Sequence, residues 1–195
     1  MTVTVVRYNA GNVRSVTNAL ERVGVPYVVS GDCEKLSAAE RIIFPGVGEA
    51  GSAMEYLRAT GIDRVLRDTK APLLGICLGL QLLCSKSEEG GATCLGVLSG
   101  AVQKFVTPRT VPHTGWSQIK NLAHPIFDGI PEGSYFHFVH SYRLEVCAAT
   151  VAQCEYGETF SAAAATRNFV GVQFHPEKSA GVGERVLSNF VEWKV

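Results

Sequence analysis

The sequence has no long apolar run, no block of like charge and no paired-cysteine motif, and each gap removes a class of function. No segment approaches the roughly 20 consecutive apolar residues of a membrane helix. The opening stretch MTVTVVRYNAG has no charged leader, and Arg7 breaks its short apolar run, so it does not read as a secretory signal. Lys and Arg together number 18, as do Asp and Glu. A neutral chain without basic runs is poorly suited to neutralising nucleic-acid phosphates. Six cysteines stand at positions 33, 77, 84, 94, 147 and 154, none in C-x-x-C or in a Cys/His cluster with zinc spacing. No metal is expected, and most of these thiols should be reduced and buried as small apolar groups. Repeats and low-complexity tracts are missing too. What remains is the expectation of a cytoplasmic protein with no membrane or nucleic-acid partner. At 195 residues it is expected to form one domain, 1–195, that builds its core without staples.

The apolar pattern supplies the architecture. Val3 to Val6 reads as a buried strand, and Val13, Val16, Leu20 and Val23 recur at helical spacing until Gly24 and Pro26 end the run. Pro26–Val29, RIIFPG and APLLGI read as further strands. SAMEYLRATGIDRVLRDT, interrupted by Gly61, and LGLQLLCS read as helices. Strands alternating with helices predict parallel βαβ units. After Gly100 the chain turns strand-rich, through AVQKFV, GWSQIKNL, SYFHFVHSYRLEV, TVAQCEYG, FSAAAAT and NFVGVQFHP, and closes on a helical segment, GVGERVLSNFVEWKV. The predicted fold is an α/β, open, mostly parallel, doubly wound sheet with helices on both faces and a strand-rich antiparallel extension.

Three short stretches fall at predicted strand ends, where ligands bind in such sheets. In GICLGLQLL, Cys77 stands at a strand-to-helix corner between Gly75 and Gly79. A nucleophile on so sharp a bend needs small neighbours, as in G-x-S-x-G elbows. A helix N-terminus favours the thiolate, the reactive form, and the Leu78 N–H would face an oxyanion formed on attack. A thiol nucleophile wants a base. Of the five histidines, His175 in GVQFHPE is the one with an obvious orienting carboxylate, Glu177. Read as extended chain, with Pro176 fixing φ, the segment places both side chains on one side. His175 would then take the thiol proton while Glu177 holds the imidazole. FPGVGEA places a bare Pro45–Gly48 loop at the same edge, whose N–H groups would complete an oxyanion hole.

These residues resemble the class I, triad-type glutamine amidotransferases, whose signature is a G-x-C-x-G elbow with a distant H-P-E. YNAGNVRSV, PGVGEA, GICLGLQLL, SEEG, PHTGWSQI, YFHFVHSY and QFHPEKS, in order from residue 8 to 179, resemble in particular the glutaminase subunits of imidazole glycerol phosphate synthases. The resemblance implies Cys77 as nucleophile, His175 as base and Glu177 as its orienter. It implies Val47 and Leu78 as oxyanion donors, and Gly48, Gln81, Glu89, Ser141 and Tyr142 as glutamine contacts. Lys178 and His137 are implied at a partner interface, and no cofactor is implied. The partner would be a (β/α)8-barrel cyclase subunit forming a heterodimer. It would use the ammonia to convert the ribulosyl-formimino-aminoimidazole-carboxamide nucleotide (PRFAR) to imidazole glycerol phosphate and AICAR, in histidine synthesis. Because the resemblance covers nearly the whole chain, no room is expected for an acceptor site of its own. A glutaminase feeding another synthase, such as a surface-sugar amidination system, is the alternative. A cysteine peptidase and a non-catalytic binding module fit less well, since Gln81 and all three triad residues are present.

The sequence departs from its relatives at three places. Arg7-Tyr8-Asn9 stands where many read D-Y-G, Thr114 where a methionine is frequent, and His137 where an aromatic is common. If Val47 turned its N–H away from the oxyanion, one donor would be missing until that peptide reoriented. Gly46 and Gly48 would permit the movement at low steric cost.

Overall fold

The computed structural model describes residues 1–195. The first half alternates as β1 (Val3–Val6), α1 (Val13–Arg22), β2 (Tyr27–Ser30), α2 (Cys33–Ser37), β3 (Arg41–Phe44), α3 (Ala50–Thr60), α4 (Ile62–Asp68), β4 (Leu73–Ile76) and α5 (Leu78–Leu83). Local chemistry sets the helix ends. Asn12 caps α1 by accepting from Ser15 N, and Glu49 caps α3 by accepting from Gly51 N and Ser52 N, both at 2.7 Å. Gly61, at φ 76°, separates α3 from α4 in the left-handed conformation that glycine tolerates.

The second half is mostly strand: β5 (Lys86–Ser87), β6 (Ala92–Thr93), β7 (Ala101–Lys104), β8 (His113–Lys120), β9 (Tyr135–His140), β10 (Tyr142–Leu144), β11 (Thr150–Glu155), β12 (Thr159–Thr166) and β13 (Phe169–Val172), followed by α6 (Ala180–Glu192). One sheet runs β2-β1-β3-β4-β13-β12-β11-β8-β9. Its pairings are parallel from β2 to β13 and antiparallel from β13 to β9, so the antiparallel extension is half of the sheet. A second sheet, β10-β7-β5-β6, is a feature the strand pattern did not separate. SYFHFVHSYRLEV, read as one strand, breaks at Ser141, where the chain passes from the first sheet to the second.

Successive strand residues feed two apolar layers. Ile42 and Phe44 pack on one side of the sheet with Leu57, Leu66, Leu73 and Leu80, while Ile43 and Leu74 pack on the other with Leu20, Val170, Leu187 and Phe190. Strands covered on both faces read as continuous apolar runs, which is why RIIF and LLGI were legible as parallel strands. Arg41 is the exception in this layer. Its buried guanidinium donates to the Phe190 and Trp193 carbonyls at 3.1 and 2.6 Å, satisfying the C-terminal end of α6. No helix is long and apolar enough to cross a membrane.

Candidate active site

Register brings the predicted residues together. β4 and β13 are parallel neighbours with Ile76 opposite Val172, so Cys77 and Gln173 leave the sheet side by side. Cys77 N donates to the Val172 carbonyl at 2.8 Å, and the residue sits at φ 53°, ψ −106° as the N-cap of α5. A non-glycine residue there is strained, and the packing explains how the strain is held. A Cβ added at Gly79 would lie 2.0 Å from the Phe44 carbonyl oxygen, and one at Gly75 would lie 2.8 Å from Gly79 C. The glycines that flank Cys77 thus let α5 descend directly onto β3 and β4.

His175 is buried beside this corner, and its Nδ1 lies 2.8 Å from Glu177 Oε1. The route differs from the extended segment expected. Pro176–Lys178 forms a 3-10 turn, closed by Lys178 N to the His175 carbonyl and Ser179 N to the Pro176 carbonyl, both at 3.0 Å. Proline at the first position of the turn presets its φ, and α6 packs against it so closely that a Cβ at Gly183 would meet the Pro176 oxygen at 2.0 Å. His175 is fixed from β9 as well. Its N–H donates to the His137 carbonyl at 2.9 Å, while Ser179 Oγ donates to the His175 carbonyl at 2.6 Å and accepts from His137 N. Burial pushes the imidazole pKa down. The charge of Cys77 and its hydrogen bond, then Glu177, outweigh that and raise it to about 10.

A cavity of about 260 Å³ opens over Cys77. Val47, Gly48, Leu78, Gln81, Glu89, Ser141, Tyr142, His175 and Lys178 all line it, so every oxyanion and substrate residue expected from sequence reaches one space. Glu89 Oε2 accepts from Ala50 N at 3.0 Å, and burial raises its pKa, partly opposed by that bond. In an extended segment Lys178 would point opposite to Glu177, away from the triad. The 3-10 turn brings it instead to the rim of the same cavity, exposed.

The oxyanion donors also differ from expectation. Leu78 N–H is not free: it donates to the Gly46 carbonyl at 3.3 Å. Gly46 C=O and Val47 N–H belong to one trans peptide and point oppositely, so with the carbonyl on Leu78 the Val47 N–H faces away from that donor. Tyr8, the shared residue between the departures at Arg7 and Asn9, bears on the same loop. Its hydroxyl donates to the Pro45 carbonyl at 2.8 Å, and burial drives its pKa well above the ordinary range. The other two departures lie on the exposed face of the edge pair β8–β9. Thr114 is opposite Val139 and His137 opposite Trp116, whose ring is half exposed.

Sequence reasoning passed over Gln173, which is fully buried with Nε2 3.6 Å from Cys77 Sγ. It also passed over the buried pair His113 and His140, whose Nδ1 and Nε2 lie 3.0 Å apart. The one sequence signal for Gln173 was a polar residue inside an apolar strand, GVQF.

A thiol on a strand-to-helix corner with a buried histidine–carboxylate pair, on a sheet of this topology, defines an acyl-transfer class. A family model described as "Glutamine amidotransferase class-I" matches residues 3–193, and the chain belongs to that family. It is 48% identical over 195 residues to the "Imidazole glycerol phosphate synthase subunit HisH" of Bacteroides thetaiotaomicron, covering 98% of this chain and 100% of that one. It is 46% identical to the protein of the same name from Shewanella sediminis, covering 92% of this chain and 85% of that one. Among solved structures, a glutamine amidotransferase superposes with TM-score 0.76 at 21% identity, over 97% of both chains. PurLQS from Thermotoga maritima superposes with TM-score 0.74 at 20% identity, over 98% of this chain and 97% of that one. At such identities these two speak for the fold.

Proposed function

We propose that the chain, as one amidotransferase domain over 1–195, is the glutaminase subunit of an imidazole glycerol phosphate synthase and releases ammonia from glutamine for a partner subunit. The observation that carries the chemistry is the buried His175–Glu177 pair, bonded at 2.8 Å and set against a thiol in a strained corner. The relatives named above carry the choice of synthase.

The reaction runs in two halves. His175 Nε2 takes the proton of Cys77 Sγ, with Nδ1 held by Glu177. The sulfur attacks the side-chain amide carbon of glutamine and forms the C–S bond, and charge gathers on the former carbonyl oxygen. His175 returns the proton to the amide nitrogen as the C–N bond breaks, leaving ammonia and a cysteinyl thioester. Water, deprotonated by His175, attacks the thioester, and glutamate departs as the thiol is restored. Val47 and Leu78 N–H would stabilise both tetrahedral oxyanions once the Gly46–Val47 peptide turned over. That single rotation withdraws the carbonyl from Leu78 and brings Val47 N–H in, so both donors become available together. Losing one such donor costs about 10²–10³ in rate in other hydrolases, enough to keep glutamine from being wasted while the partner is idle.

In this reading a (β/α)8-barrel cyclase docks on the exposed β8–β9 face beside the cavity and receives the ammonia. Trp116, Tyr135 and Val139 are exposed there, and Lys178 stands at the rim. The test is glutamate release by the chain alone, with the cyclase, and with the cyclase and PRFAR. Turnover should rise in that order. A chain that never hydrolyses glutamine with partner and nucleotide present sinks the proposal.

A further inference from the structure

The orientation of every polar group behind Cys77 follows from one backbone atom. The Tyr142 carbonyl only accepts hydrogen bonds. The Gln81 atom 3.0 Å from it is therefore the amide nitrogen, since a flipped amide would set two oxygens against each other. That nitrogen also lies 3.1 Å from a terminal atom of Gln173, which must be Oε1. The other terminal atom of Gln173 is then Nε2, and it points at Cys77 Sγ from 3.6 Å.

The same carbonyl is held from its other side. His140 Nδ1 lies 2.8 Å away and must carry a proton, so His140 Nε2 accepts from His113 Nδ1 at 3.0 Å, and His113 Nε2 accepts from Ser117 Oγ at 2.8 Å. Neutral rings are required for this order. Burial supplies them, lowering the pKa of His140 to about 3 and of His113 to about 4. Gln81, Gln173, His113 and His140 are all buried, so none of these bonds exchanges freely with water.

We propose that Gln173 is a direct hydrogen-bond partner of the reacting sulfur, aimed by Gln81 and the Tyr142 carbonyl, and that His140 and His113 are positioning residues that hold this carbonyl in place. An N–H donor on sulfur favours the anion that attacks. It serves again when the thioester breaks and sulfur leaves as an anion. The thiol's other neighbour, the Val139 carbonyl at 3.7 Å, can only accept, so it holds the proton-bearing form and offers the anion nothing. The inference rests on Cys77 being the nucleophile.

The test is the rate at which iodoacetamide alkylates Cys77 in the full chain between pH 6 and 9, with the adduct located by peptide mass spectrometry. Tyr8, Glu89, His140, Tyr142, His175 and Lys178 are the titratable groups facing Cys77, with Glu177 behind His175. All remain in Gln173→Leu and Gln173→Glu. Gln173→Leu should react about tenfold more slowly at pH 7, the scale of one charge-assisted hydrogen bond, with the deficit narrowing as pH rises. Gln173→Glu should be slower still, because a carboxylate then faces the sulfur. In glutaminase assays both should lose kcat more than KM. His140→Asn, which keeps a donor near Nδ1, should stay close to the parent, whereas His140→Leu should lose several-fold.

Parent rates and an unchanged profile in the Gln173 variants overturn the proposal. Equal rates in His140→Asn and His140→Leu overturn its histidine part. Should the Gln173 variants fail to fold, the parent decides: the Gln173 side-chain amide resonance must move as Cys77 is titrated and stand still in Cys77→Ala, and an amide indifferent to Cys77 ends the idea. If the parent adduct maps away from Cys77, the nucleophile assignment has failed instead, and the two failures are distinct.

Discussion

The two walls of the cavity are built in opposite ways. The Cys77 corner is buried, strained and closed in by glycines with no room for a methyl group, and its main-chain N–H is tied into the sheet at 2.8 Å. The Pro45–Gly48 loop across from it has Val47 about two-fifths exposed, Gly48 at φ 121°, and a single 3.3 Å bond from Leu78 holding the Gly46–Val47 peptide. Strain at Cys77 persists because its surroundings over-determine it. The opposing peptide is held by one long hydrogen bond, worth about 1 kcal/mol or less. In the proposed mechanism the nucleophile wall is the ready one, while the oxyanion wall depends on the conformation of one peptide.

Removing the ready wall should have the largest effect. Cys77→Ala should abolish glutamine hydrolysis while the complex still makes product from ammonium salt. Glutamine-dependent turnover by that variant would show that chemistry does not need this corner. Next comes the pair behind the thiol. His175→Asn should lower the rate far more than Glu177→Gln, because the imidazole moves the proton and the carboxylate orients it. Losses of equal and small size would remove His175 from the base role.

The glycines test the contrast in stability. An added methyl at Gly79 would sit 2.0 Å from the Phe44 oxygen, so Gly79→Ala should cost about 3 kcal/mol or more and lower Tm sharply. At Gly48 the nearest neighbour to an added Cβ is Ala10 at 3.6 Å, so the penalty is the backbone conformation alone, about 1–3 kcal/mol. It falls on a loop, so Gly48→Ala should fold with Tm nearer the parent and lose glutaminase stimulation. Thermal melts showing equal loss for both would erase the distinction between the walls.

Acid should reach the cavity through its neutral histidines. His140 and His113 have folded pKa values depressed to about 3 and 4 by burial. Their contribution is complete above the unfolded value near 6.5 and is lost as pH falls from there through about 4 for His113 and about 3 for His140, because the unfolded chain binds the extra protons. Tm should therefore fall on acidification from about pH 6.5, before the carboxylates titrate. His140→Asn should flatten that slope, and an identical slope in parent and variant would mean that His140 is not neutral in the folded state.

What could be read in advance follows the same division. Continuous apolar strands, glycine-flanked Cys77 and the H-P-E order are local patterns, and they led to the parallel half of the sheet and to the residues around the cavity. Gln173 was missed because its role depends on register: only the pairing of β13 with β4 sets it beside Cys77. His113 and His140 meet because β8 and β9 pair directly at those positions, a non-local fact. The turn at Pro176–Lys178 was read as extended because proline is compatible with both, and the packing of α6 decides between them.

The smallest expected effect concerns Lys178, and it asks whether the partner senses the ready wall or the conditional one. The ammonium is exposed at the cavity rim, next in sequence to Glu177. Exposed ion pairs contribute about 0–1 kcal/mol, so Lys178→Ala should leave the affinity for the proposed cyclase partner within a few-fold. It follows the residue that orients His175, in a turn whose 3.0 Å bond runs from its own N–H to the His175 carbonyl. A backbone bond survives the truncation, so basal glutamine hydrolysis should change little. Any contact between Lys178 and an acidic group of the partner would be lost, and with it some of the stimulation by PRFAR. Glutamate release by the complex with and without PRFAR separates the two. An unchanged ratio would place the signal entirely on the Pro45–Gly48 side, and a reduced ratio at unchanged affinity would mean that the 3-10 turn carries part of it.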